Sequence, residues 1–88
     1  MSTSITIERD DAQVLAIYIQ IFDGDVARTV EIEEGACYVD EDAQGQIVGV
    51  ELLAPGSAAN NLRAVQDRYR EQVGIDRLLA RALDTVNV

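Results

Sequence analysis

The spacing of apolar residues changes once along this chain, at Ala54-Pro55-Gly56. Before that point apolar side chains recur at every second position, and after it at every third or fourth. A period of two is the mark of a strand and a period of 3.6 that of a helix. Pro55 has no place in a central strand, so it closes the first pattern. The expected fold is therefore α+β: a five-stranded antiparallel β-meander over residues 5–54, with C-terminal helices over residues 57–86 packed on one face. The 88 residues suit one domain, 1–88.

The strands are read in order. Residues 4–9 (SITIER) alternate apolar and polar. Residues 10–12 make a loop. Residues 13–22 (QVLAIYIQIF) put Leu15, Ile17, Ile19 and Ile21 on one face, and Val14, Ala16, Tyr18, Gln20 and Phe22 on the other. Both faces are largely apolar, so this strand is expected to be central or covered on both sides. Asp23-Gly24 follows, and Asp-Gly between two β runs predicts a tight hairpin. Residues 26–33 then point Val26, Val30 and Ile32 inward, with Arg28 breaking the inward face near a strand end or in an ion pair. Glu34-Gly35 is the next expected turn. Residues 36–41 and 46–54 complete the sheet, with Val48, Val50 and Leu52 on one side.

Beyond Pro55, Ser57 is the expected helix N-cap. Leu62, Val65, Tyr69 and Val73 form a thin helical stripe. Ile75, Leu78, Leu79, Ala82, Leu83 and Val86 form a fuller one. The first stripe, carried forward, lands on Asp76, Ala80 and Asp84. The helical segment is therefore expected to kink or break near Gly74. Arg63, Arg70 and Arg77 recur every seven residues, with Arg68 and Arg81 nearby. They read as a solvated face with local pairs such as Arg63–Asp67 and Arg77–Asp76, or as a basic strip for an acidic partner whose alignment the phase change at Gly74 spoils.

Residues 38–53 (YVDEDAQGQIVGVELL) place Asp40, Asp42, Gly45 and Glu51 at offsets close to a calcium-binding loop. Such a loop needs Glu51 to swing back to the ion on a helical exit. Gly49 opens that exit poorly and Pro55 stops it early. As a strand, the segment carries Glu51 roughly 20 Å from Gly45 at ~3.3 Å per residue. A hairpin with Gly45 in a left-handed conformation is the better reading, with calcium binding as the alternative.

This stretch also resembles a family. Val39, Asp40, Asp42, Gly45, Val48, Gly49, Val50, Glu51, Leu52 and Leu53 match the pattern V-D-x-D-x-x-G-x-x-V-G-I-E-I-L of domain of unknown function 2283. Ala16, Ile17, Tyr18 and Ile19 match the A-L-Y-I strand that precedes it there. The resemblance covers residues 5–54. Leu15 stands where the family tends to carry an acid, the first hairpin looks longer, and the tail from Ser57 lies outside the family core. The resemblance implies an antiparallel sheet and a small bacterial protein, and it supplies no active site. Some members are encoded beside toxin-like partners, which implies an antitoxin-like regulatory role toward a basic protein.

Composition narrows the function. Nearly half the residues are hydrophobic, 48%, so the chain has the means to fold. Its charge is −9 with no lysine: residues 1–54 hold twelve acids and two arginines, and residues 55–88 four acids and five arginines. An acidic body repels phosphate, so no nucleic-acid partner is expected. The longest apolar run, Val14 to Ile19, is too short to cross a bilayer, and no membrane partner is expected. No signal peptide is visible, and the single Cys37 suits a reducing, cytoplasmic setting. Cys37 reads as a buried, inert thiol. There is no histidine, and Asp10/Asp11 and Glu33/Glu34 fall in turns. No catalytic residue, cofactor or metal ligand is therefore assigned.

The expectation is a non-catalytic module that binds protein, as a homodimer or higher oligomer. Its contact residues would be Ile75, Leu78, Leu79, Leu83 and Val86, the apolar surplus beyond what one small sheet hides.

Overall fold

The computed structural model describes residues 4–10, 13–53, 58–72 and 74–86. Five strands are formed: β1 (Ser4–Asp10), β2 (Gln13–Gln20), β3 (Arg28–Glu33), β4 (Cys37–Glu41) and β5 (Ile47–Leu53). Two helices follow, α1 (Ala58–Arg68) and α2 (Ile75–Val86). The expected N-cap Ser57 and the stripe residue Val73 lie outside the described residues.

The sheet is antiparallel throughout, in the order β1-β2-β5-β4-β3. The α+β architecture with a meander-like sheet is thus present. It departs from a sequential meander at one joint, because β2 pairs with β5 and not with β3. The Asp23-Gly24 hairpin is not formed. The amides of Ile21 and Phe22 both donate to the Val48 carbonyl, at 2.7 and 3.2 Å, so β5 holds the edge that β3 was expected to take. The chain from 21 to 27 then crosses the β4–β5 end and enters β3 at the far side. Gly24 lies over Val48 there, and a Cβ on it would stand 3.7 Å from Val48 Cγ2. Val26 falls in this crossover, 51% exposed, and does not face inward.

Burial explains the order. Ile47, Val48, Gly49, Val50 and Leu52 of β5 are all buried, so β5 needs neighbours on both sides. In β3, Thr29, Glu31 and Glu33 are exposed and only Val30 and Ile32 turn partly inward, which suits an edge. Arg28 opens β3 and pairs with Glu41, Nη1 to Oε1 at 3.1 Å.

One sheet face carries the core. Ile19, Ile21, Cys37, Val39, Ile47, Val50 and Leu52 meet Leu62, Val65 and Tyr69 of the α1 segment and Leu79 of α2. Leu62, Val65 and Tyr69 are spaced by three and four residues, so they lie on one helical face. α1 lies over β3 and β5, and α2 packs on α1. Gly74, with φ 79°, separates the two helices at the expected break. The radius of gyration is 12.1 Å, the size of a compact domain of this length at about 12 Å.

Candidate functional site

The acidic hairpin is built around one carboxylate. Asp42 Oδ1 accepts from the amides of Gln44 and Gln46, each at 2.9 Å. The Gly45 amide donates to the Asp42 carbonyl at 3.1 Å, and Gly45 takes φ 79°, as its sequence position suggests. Asp42 is thus engaged by its own turn, the Asx geometry that aspartate favours. Glu51 is exposed in mid-strand, opposite Tyr18 on one side and Tyr38 on the other. Among the described residues, no three acidic or thiol side chains gather as ligands for a metal ion.

The turn is fastened to the helical layer. Gln72 Nε2 donates to the Gly45 carbonyl at 3.2 Å, and the Ile47 amide donates to Gln72 Oε1 at 3.1 Å. Beside it, Glu41 accepts from Tyr69 Oη at 2.6 Å through one oxygen and from Arg28 through the other. Burial first, and then the bond to Glu41, push the Tyr69 hydroxyl up to about 12.

The sheet face away from the helices holds a second polar constellation. Tyr18 Oη donates to Asp40 Oδ2 at 2.9 Å, and Thr29 Oγ1 donates to Asp40 Oδ1 at 2.7 Å. Three strands, β2, β4 and β3, are tied across this face. Tyr18 reaches β4 by lying over Gly49 of β5, where a Cβ would sit 2.0 Å from Tyr18 Oη. Only glycine leaves that passage open. Burial, then the bond to Asp40, push the Tyr18 hydroxyl up to about 12. A phenol held so firmly protonated is a donor in a structural network and no base. Sequence reasoning missed this cluster, because its members lie on different strands.

Cys37 is fully buried, and burial, with Glu33 nearby, raises its thiol to about 11. A thiol so placed stays protonated and unreactive at neutral pH.

The expected contact residues divide. Leu79 is fully buried in the core and Leu78 is half-buried against it. The side chains of Ile75, Leu83 and Val86 lie outside the described residues. Among the described residues, the exposed large apolar side chains are Val26 in the crossover and Ile7 and Leu15 on β1 and β2. Ile7 is 40% and Leu15 41% exposed. Ile7, at the middle of β1, pairs with Ile17, and Leu15 is the extra residue of β2 at the irregularity near Glu8 and Arg9. β1 is an edge strand.

No family model, curated protein or solved structure matches the chain. No helix among the described residues is long and apolar enough to cross a membrane.

Proposed function

We propose that this chain is a non-catalytic, self-associating protein-interaction module whose partner is a second copy of itself, met through the β1–β2 edge. One observation carries the reading: Ile7 on β1 and Leu15 on β2 are each about two-fifths exposed, and residues 4–7 of the β1 edge carry no charge, lysine or proline to blunt it. Among the described residues, the main contacts of the helical layer with the sheet fall on β3 and β5. Antiparallel pairing of two β1 strands about Thr6 sets Ile5 against Ile7 of the second copy and extends the sheet without an exposed apolar edge. The non-catalytic part is supported by the absence of histidine and by the structural engagement of Tyr18, Asp40, Asp42 and Tyr69. A cytoplasmic setting fits a single, buried, unpaired thiol.

Size-exclusion with light scattering at low micromolar concentration tests it. The wild-type chain is expected to run as a dimer or larger, and Ile7→Lys as a monomer of unchanged circular dichroism. A wild-type chain that is only monomeric at that concentration refutes the reading.

A second reading, an antitoxin-like regulatory partner of a basic protein, is favoured by Glu31 and Glu51, exposed on the sheet face that carries Asp40. Pull-downs from the native host with wild-type and Glu31→Lys/Glu51→Lys chains test it. Equal recovery of partners by both rules out that face.

A further inference from the structure

Three of the seven arginines in this acidic chain line one cleft. Arg63 and Arg70 from the α1 segment and Arg77 from α2 border a cleft of about 660 Å³ between the helices, with Gln66, Asp67 and Ala80 completing its wall. Sequence phase places Arg77 off the line of the other two. The turn at Gly74 folds α2 back on α1 and brings it into the same cleft. Guanidinium groups stay charged at all ordinary pH and repel one another when they converge. In a chain of net charge −9, sixteen acids stand against seven arginines, yet three of those arginines line one cleft. Among the described residues lining the cleft Asp67 is the acid, and it is already met by Arg70. Arg63 Nη1 lies 3.5 Å from Asn60 Oδ1, a neutral acceptor.

The charge balance points to a ligand. Among the described residues lining the cleft, three guanidinium groups stand against one carboxylate, an excess of two positive charges. A phosphate monoester carries about −1.5 to −2 at neutral pH and has three acceptor oxygens for forked donors. The cleft's size falls in the range of small-ligand sites, about 300–1,000 Å³. We propose that the α1–α2 cleft is an anion site for a phosphate monoester, with Arg63, Arg70 and Arg77 as its donors. The site is independent of the β1–β2 edge. The phosphate comes either on a small molecule or on a phosphorylated side chain of a partner, and the recognition chemistry is the same.

The test is an isotope-edited NMR titration of the full chain with inorganic phosphate, a sugar phosphate, a phosphoserine peptide, the same peptide unphosphorylated, and sodium chloride at matched ionic strength. Saturable shifts confined to residues 60–81 are expected with the phosphate probes and not with chloride. Arg77→Gln, at an exposed helix position, is expected to weaken binding about tenfold, the loss of one charge-assisted hydrogen bond. Arg63→Gln serves as the second variant, and circular dichroism checks that both fold. Saturation by the sugar phosphate assigns the source as a small molecule. Saturation by the phosphopeptide alone assigns it as a modified protein. Shifts that do not saturate, or that chloride reproduces, overturn the proposal. Binding unchanged in both variants overturns it too, as does equal binding of the unphosphorylated peptide.

Discussion

At the residue scale, Gly49 and Tyr18 act as one unit. The absent Cβ of Gly49 is the space that the Tyr18 ring occupies on its way to Asp40. Gly49→Ala must displace that ring and break its hydrogen bond, at a cost of about 1–3 kcal/mol. In a Tyr18→Ala background the clash has no partner, so most of that cost should vanish. Urea unfolding of the four chains in this cycle measures the coupling; additive losses would refute the contact. The tyrosines also set an alkaline limit. Tyr18 and Tyr69 each rise from 10.0 to about 12 on folding. The folded state therefore holds their protons more tightly than the unfolded one. That stabilisation is whole below about pH 10 and is lost as pH rises toward 12. Denaturation midpoints measured across that window should fall steeply for the wild-type chain and less steeply for Tyr18→Phe/Tyr69→Phe. Little of this was legible in advance. Gly45 could be read as left-handed, and Gly74 as a helix break, because the reason is local: each ends or turns an element. The bond from Tyr18 to Asp40 spans 22 residues and depends on which strand lies between them, so no local pattern carries it.

At the scale of elements, the five strands and the helix break followed from periodicity, and the strand order and the ends facing the crossover did not. Asp23-Gly24 has the composition of a tight turn, yet Gly24 is not among the glycines at positive φ, and residues 21–27 cross the end of the sheet. A turn signal states what a dipeptide tolerates; the pairing is decided by which strand most needs two neighbours. Here β5, buried along most of its length, outcompetes β3 for β2. The link between layers is equally non-local. Gln72 lies beyond α1 and yet satisfies both the Gly45 carbonyl and the buried Ile47 amide. Gln72→Ala leaves that amide without its acceptor, at a cost of about 1–3 kcal/mol. Amide exchange at residues 42–47 should accelerate more than exchange in β1 or β2. Uniform acceleration across the sheet would mean that Gln72 supports global stability and has no particular hold on the turn.

At the scale of the molecule, much of the apolar surplus among the described residues is spent internally. Leu79 and Leu62 are inside, and among the described residues the exposed large apolar side chains are Ile7, Leu15 and Val26. Two sources of self-association then stand apart by their response to salt. Copies that meet through the β1–β2 edge do so against the mutual repulsion of two bodies of charge −9. The screening length shrinks from about 10 Å at 0.1 M salt to about 3 Å at 1 M, so repulsion fades while apolar contact does not. Sodium chloride raised over that interval should strengthen dimerisation by about tenfold, a gain of roughly 1.4 kcal/mol. Copies that instead set the arginine cleft of one against the acidic sheet face of the next would lose attraction over the same interval. That contact is also head-to-tail and would propagate beyond a dimer. Sedimentation equilibrium at several salt concentrations reads both the sign and the stoichiometry. An association constant that falls with salt, with species larger than dimers at low salt, would move the contact from the strand edge to the charged faces.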